Sequence, residues 1–574
     1  MNICKGSIYK PLAAANNEIR LLTLRAGGAG DAIAVTLDHF PFHEAVPYYA
    51  LSYTWGDAAD VRYILLNGWE VPVTANLEVA LRALRKLEED CCFWIDALCI
   101  NQHDIQERNS EVPRMRDIYE RADLVVAWLG PGNARSDRVI DFINSNKEAI
   151  LVRTEIMMTE EAKTRIWWVM IEELLMRPWW QRIWVIQEVA VAKDIKIFCG
   201  YKSLLWGQLG DGIKIAIENH GKDSLQGGMY SALNRAVELR NIRTRRIRLG
   251  STILNWKELI LRARASLATQ KVDKIYGLLG LATQAQLPGL LVDYDAPVQE
   301  VFKQFTSLLC MKEQRLDLIC LATRTHSIPG LPSWTPNLSA VFRIKPLNKM
   351  RLETRYRAQF DANGTADEVG RLHEDPNTYF KFSETLNTLY ADGLVIDFIE
   401  TLATPGSGYE NCWDHIGLDC RNRALAISPD VAEPQAQYIL GGLKYNAFLQ
   451  TLVADVTTTK PGYHPESESP RPRSKPDVSM ERMSEPDPIL ISRANYNRRF
   501  MVSHEGYMGL VPKDAEAKDL ICILFGCDVP VVIREIKNHH LFIGERYLTF
   551  RDALSSYICT ILIANTQTAM CTAL

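Results

Sequence analysis

The chain has 574 residues, more than one hydrophobic core can hold, so two or three domains are expected. Apolar residues make up 47% and charged residues 23%, an ordinary globular balance, and a net charge of −4 gives no global attraction to nucleic acid. Residues 1–12 lack the apolar core of a secretory signal, and no run reaches the roughly 18 apolar residues of a membrane span. With no such signal, thirteen cysteines read as reduced thiols, so a cytoplasmic chain with no membrane span is expected. Cys91, Cys92 and Cys99 form no CxxC pair, and no metal site is expected.

Residues 18–38 alternate, with Ile19, Leu21, Leu22 and Leu24 before Gly27-Gly28-Ala29-Gly30-Asp31 and Ile33, Val35 and Leu37 after it. That predicts a β-hairpin with a glycine turn; a phosphate-cradling loop would need a Gly-Lys-Ser/Thr ending and a following helix. Residues 48–55 read as a buried strand. Ile64, Leu66, Val71 and Val73 flank Asn67-Gly68, a second hairpin. Leu77, Leu81, Leu84 and Leu87 then mark one face of a helix.

Residues 93–96 predict a short apolar strand that ends on Asp96, and Asn101-Gln102-His103-Asp104 a polar loop. Pro113 suits the first turn of a helix whose buried face is Met115, Ile118, Tyr119 and Ala122. Residues 124–129 are a further buried strand, closed by Gly130-Pro131-Gly132. Strand, loop, helix and strand make a βαβ unit with parallel strands, and ligands in such sheets sit at the carboxyl ends, where Asp96 lies. Helices over 139–150 and 160–176 and a strand over 195–199 complete an α/β domain over 18–205.

Residues 206–330 read as helical. The basic run Arg235, Arg240, Arg243, Arg245, Arg246 and Arg248 is expected to be a solvated helix face, since no aromatic residues are interleaved for nucleic-acid contact. Residues 331–456 are a mixed α/β region whose clearest strand is 389–399. Residues 457–488, rich in Pro, Ser, Glu, Arg and Lys, are expected to be a disordered linker. Residues 489–550 are β-rich and are expected to complete a sheet begun near 390. Residues 551–574 form a tail with no clear pattern.

Three blocks carry a resemblance. They are Ala50-Leu51-Ser52-Tyr53-Thr54-Trp55-Gly56; WIDALCINQ at 94–102, followed by M-x-x-I-Y-x-x-A and WLG; and RPWWQRIWVIQE at 177–188. In this order they resemble the HET (heterokaryon incompatibility) domain of filamentous fungi. Val272-Asp273-Lys274-Ile275-Tyr276-Gly277-Leu278-Leu279-Gly280-Leu281, Leu331-Pro332-Ser333-Trp334-Thr335-Pro336-Asn337 and Gly506-Tyr507-Met508-Gly509-Leu510 resemble blocks found downstream of HET domains. The resemblance implies a role in non-self recognition and regulated cell death, with other incompatibility proteins as partners.

The HET domain in turn is similar to the TIR domain in the order of its blocks, which implies a TIR-like parallel sheet flanked by helices. Trp184-Val185-Ile186-Gln187-Glu188 resembles the W-x-x-x-E segment of TIR enzymes that hydrolyse NAD, where the glutamate is catalytic. That likeness implies Glu188 as the catalytic residue. It implies Ser52, Tyr53, Trp55, Asp57, Asp96, Arg182 and Trp184 as substrate-binding, NAD as substrate rather than cofactor, and a homo-oligomer on activation. A carboxylate against the ribose would stabilise the charge built there, and an aromatic wall such as Trp55 could hold the nicotinamide ring. Trp180, Trp184 and Glu188 at i, i+4 and i+8 fall on one helical face, with Arg182 roughly opposite Trp184.

Each residue also fits a plainer role: the tryptophans as core, Asp96 as a loop cap, Arg182 and Glu188 as a structural pair. The sequence therefore leaves two readings open, NAD hydrolysis or a non-catalytic module that works by assembly, with an adapter role in stress or secondary-metabolism control as a third.

Overall fold

A computed structural model describes residues 8–13, 17–144, 171–220, 227–249, 256–282, 287–324, 327–340, 379–405, 413–439, 442–454, 486, 488–527, 529–545, 547–548 and 558–563. The chain divides into two compact units, Met1–Ala296 and Pro297–Leu574. The domain boundary expected at 205 falls inside the first unit, and the helical region expected over 206–330 is divided between the two.

The first unit is built on one sheet. Its strands are β1 (Glu18–Leu24), β2 (Ala34–Pro41), β3 (Tyr49–Tyr53), β4 (Val61–Leu66), β5 (Trp69–Thr74), β6 (Cys91–Trp94), β7 (Leu124–Trp128), β8 (Ile195–Cys199) and β9 (Lys202–Leu205). They lie in the order β5-β4-β2-β1-β6-β3-β7-β8-β9. Strands β6, β3, β7 and β8 form a parallel centre, with Tyr49 opposite Phe93, Ala50 opposite Val125 and Val126 opposite Lys196. Strand β3 is central and covered on both faces, so it reads as a continuous buried run from Ala50 to Tyr53 with Ser52 as its polar exception.

Strands β6 and β7 are parallel as the βαβ pattern predicts, but they are not neighbours, because β3 lies between them. The strand order therefore reverses at β3, and the crevice beyond its carboxyl end is a topological switch point. The two hairpins form around β1–β2 and β4–β5. Asn67 (φ 51°) and Gly68 (φ 83°) both adopt the left-handed conformation of a type I′ turn. Gly68→Ala should cost about 1 kcal/mol, read as a lower urea midpoint at unchanged m-value.

Helix α1 (Ala75–Leu84) ends where Arg85 turns extended, so Leu87 does not join its buried face and is 75% exposed. The polar loop after β6 lies at 101–104 as expected, but a helix that the pattern did not show precedes the one at Pro113. The stretch after β6 holds a single turn, α2 (Asp96–Cys99), and then α3 (Ile105–Glu111), whose first turn is capped by the Asp104 carboxylate accepting from Glu107 N at 3.1 Å. The fully buried Arg20 side chain ties β1 to this loop through both Glu107 carboxylate oxygens (2.6 and 3.0 Å) and Cys99 O (3.0 Å). Helix α4 (Met115–Arg121) and helix α5 (Ala134–Asn144) follow, and the helix expected over 160–176 lies mostly outside the described residues.

Helix α6 (Trp184–Val191) leads into β8, and α7 (Trp206–His220), α8 (Gly227–Leu249), α9 (Trp256–Ala263) and α10 (Asp273–Tyr276) complete the unit. The basic run on α8 is not simply a solvated face. Arg243 is only 8% exposed, and Arg246 pairs with Glu120 at 2.6 Å.

In the second unit the strands are β10 (Phe380–Phe382), β11 (Leu389–Leu402), β12 (Arg498–Ser503), β13 (Met508–Pro512), β14 (Leu520–Leu524), β15 (Val531–Ile536), β16 (His539–Glu545), β17 (Tyr547–Leu548) and β18 (Ile558–Ile563). The long β11 pairs antiparallel with β10, β12, β14 and β18, so the later strands do extend a sheet begun near 390. Ile399, Met501, Val511, Ile521, Val532 and Ile543 form its buried core. Strand β18 comes from the tail. The expected linker, 457–488, lies outside the described residues apart from Pro486 and Pro488. No helix among the described residues is long and apolar enough to cross a membrane.

Candidate functional site

The site is assembled at the carboxyl ends of β3 and β6. Strand β3 carries Ser52 and Tyr53 to its end, and the chain then emerges as Thr54-Trp55-Gly56-Asp57. Strand β6 is followed by Asp96, the first residue of α2. Arg182 and Glu188 arrive from the block that precedes β8.

That block is not the single helix its spacing suggests. Pro178–Gln181 is a 3₁₀ turn, Arg182 is extended (ψ 136°), and α6 starts only at Trp184. The break is imposed from outside the block: Ile183 N donates to Leu267 O (2.9 Å) and Leu267 N to Gln181 O (2.5 Å), a strand-like bridge that takes these residues out of a helix. Trp180 therefore leaves the Trp184 and Glu188 face; it is buried, with its indole N–H on Leu174 O at 2.8 Å.

Glu188 is 2% exposed and lies against the central strand. The Ser52 hydroxyl donates to its carboxylate, and Trp179 Nε1 donates to Ser52 Oγ at 2.7 Å. Burial pushes the Glu188 carboxyl up to about 7, against the opposing pull of nearby Arg182 and the Ser52 hydrogen bond. Asp96, half-buried, is also raised by burial, with Arg182 opposing. Its two oxygens accept from Trp55 Nε1 (3.0 Å) and Ala97 N (2.7 Å). Arg182 donates to Tyr53 O; burial works against its charge, but Glu188 and Asp96 together hold its pKa above the ordinary value.

Ser52, Tyr53, Asp96, Arg182 and Glu188 thus share one network, which Trp55 joins through Asp96. Trp55 is 43% exposed and Asp57 is exposed as well, with its Oδ1 accepting from Ala59 N at 2.9 Å. Trp184 is partly buried and its indole N–H is held by Asp273 Oδ2 at 3.2 Å.

Several members had no individual signal in sequence. Trp179 stands beside the residues singled out in the RPWWQRIW block but bonds Ser52 itself. Asn76, at the start of α1, donates to Thr54 O (2.6 Å) and accepts from Trp128 Nε1 (3.0 Å), closing the crevice between β3 and β7. Tyr119 donates to Leu51 O at 3.0 Å beneath the site.

A carboxyl group near half protonation at neutral pH, beside an arginine and a second carboxylate, can act as acid or as carboxylate. Ser52→Ala removes a donor to Glu188 and leaves the Trp179 N–H unpaired. It should lower stability by about 1–3 kcal/mol in urea denaturation and raise the Glu188 pKa further.

The constellation lies buried at the switch point of an α/β sheet, and comparison with known proteins shows what the chain is similar to. Residues 48–188 match the family model described as Heterokaryon incompatibility protein (HET), a match that takes in all the site residues and ends on Glu188. The chain is similar to heterokaryon incompatibility protein 6, OR allele, of Neurospora crassa, with 28% identity over 399 residues. That alignment takes in 56% of this chain and 58% of the relative's length. No solved structure gives a significant match.

Proposed function

We propose that the protein acts in fungal incompatibility, as a regulator of cell death, through its HET domain, and that this domain is a TIR-like hydrolase of NAD. The observation that carries the reading is the Glu188 carboxyl held beside Arg182 and Asp96 at the carboxyl ends of parallel strands. In this reaction the bond between ribose C1′ and the nicotinamide nitrogen breaks and its electron pair leaves with nicotinamide. Water adds at C1′ and gives up a proton, yielding ADP-ribose. Ionised Glu188 would stabilise the ribosyl cation, Arg182 would take a phosphate and Trp55 would stack on the nicotinamide ring.

Glu188 is sealed from solvent, at 2% exposure, so the ribose reaches it only after the site opens. Assembly with further copies of the chain, or with a partner protein, is the step assigned to open it. The purified 574-residue chain should release nicotinamide from NAD, with a specific rate that rises with protein concentration or a crowding agent. A specific rate constant across a wide dilution series would remove the assembly step.

A second reading is favoured by the same seal. Ser52, Trp179 and Glu188 satisfy one another, as a structural core network does, which fits a non-catalytic module that signals by assembly alone. No nicotinamide release under any assembly condition would select this reading.

A further inference from the structure

The family match stops at Glu188, yet helix α6 runs on to Val191 and is gripped at both ends by residues far beyond it. At its carboxyl end the Arg243 guanidinium, buried on α8, donates to Val189 O (2.9 Å), Ala192 O (2.5 Å) and Lys193 O (3.0 Å). These are carbonyls that a helix terminus leaves without partners, and the cation also faces the negative end of the helix dipole. At its first turn Asp273 accepts from Trp184 Nε1 (3.2 Å) and from Tyr294 OH (2.8 Å), and Tyr294 lies under the Arg108 guanidinium at 4.2 Å.

Between the two ends, the Gln187 side chain accepts from Gly280 N at 3.1 Å. A Cβ at position 280 would stand 2.6 Å from both Arg116 Cβ and Gln187 Oε1, so only glycine lets the segment approach this closely. The Leu267 bridge that breaks the preceding helix belongs to the same cover.

We infer that Arg243, Leu267, Asp273 and Gly280 form a clamp on α6, in which Arg243 and Asp273 are positioning residues that set the placement of Glu188 and Trp184. A HET domain cut at the family boundary would keep Glu188 but lose every one of these restraints. The clamp is read from geometry alone; only its consequence for NAD cleavage rests on the function proposed above.

The test uses the full chain and amide hydrogen exchange resolved by peptide. Arg243→Met keeps an unbranched apolar stem but removes the guanidinium and its donors. It should speed exchange of amides in 184–193 by about tenfold to a hundredfold, with peptides of β3 and β7 unchanged. Arg243→Lys restores a cation and should recover part of that protection, which a role in packing alone would not produce. Asp273→Asn should alter the Trp184 indole signal in fluorotryptophan NMR, assigned with Trp184→Phe. Unchanged exchange of α6 in Arg243→Met, equal behaviour of the Met and Lys variants, or uniform loss of protection across the sheet would each overturn the clamp. Nicotinamide release is followed in parallel with a crowding agent: a loosened α6 in Arg243→Met, with no cleavage by the parent protein under any assembly condition, would leave the clamp standing and remove the hydrolase reading.

Discussion

Glu188→Gln should lower NAD cleavage about a hundredfold or more while leaving the fold intact. Glutamine matches the shape of the neutral acid and can still accept from the Ser52 hydroxyl, so the buried network around it survives. What is lost is the negative charge that a ribosyl cation requires. The variant should also fail to kill when expressed in a cell that the parent protein kills. If Glu188 served instead as the indispensable ionic partner of Arg182, the same change would strand a buried cation and lower stability by several kcal/mol. Trp184→Phe is the comparison for altered positioning, since it releases Asp273 and loosens the first turn of α6 without touching the charge of Glu188.

Stability should fall as the pH rises from about 4.5 to about 7, and Glu188 should account for about 3 kcal/mol of that fall. Burial holds its carboxyl at about 7 in the folded chain against an ordinary value of 4.5. Between these values the folded state binds more protons than the unfolded state. The stability carried by that proton is complete below the unfolded pKa and lost as the pH passes through the folded one. Asp96, Glu111 and Asp273 are also raised by burial and act in the same direction, so the parent alone does not isolate Glu188. The difference between parent and Glu188→Gln does. Urea denaturation from pH 4.5 to 8 should show the variant gaining on the parent by about 3 kcal/mol, and a difference flat with pH would show that Glu188 titrates normally.

Local patterns were legible in the sequence and long-range ones were not. Asn67-Gly68 announces its hairpin because both residues tolerate the left-handed conformation that the turn imposes. The buried run at 50–53 announces a central strand because burial on both faces leaves no room for alternation. Ser52 and Glu188 are 136 residues apart, and only the resemblance to HET and TIR domains placed them in one site. The spacing of Trp180, Trp184 and Glu188 misleads because Leu267, from a distant segment, bridges into the block and breaks the helix there. Arg243 reads as one more arginine in a basic run; its task depends on where α8 crosses the end of α6. Asp273 was visible as part of a conspicuous block, but its tie to Trp184 follows from tertiary packing that no local pattern encodes.

The most direct test is a structure of the 574-residue Glu188→Gln chain assembled in the presence of NAD, where slow turnover preserves the substrate. NAD hydrolysis at this site requires that position 188 is no longer sealed from the substrate, that the nicotinamide ring lies on Trp55, and that ribose C1′ stands about 3–3.5 Å from the carboxamide at position 188. NAD bound elsewhere, or no NAD bound, with position 188 still sealed, would contradict it.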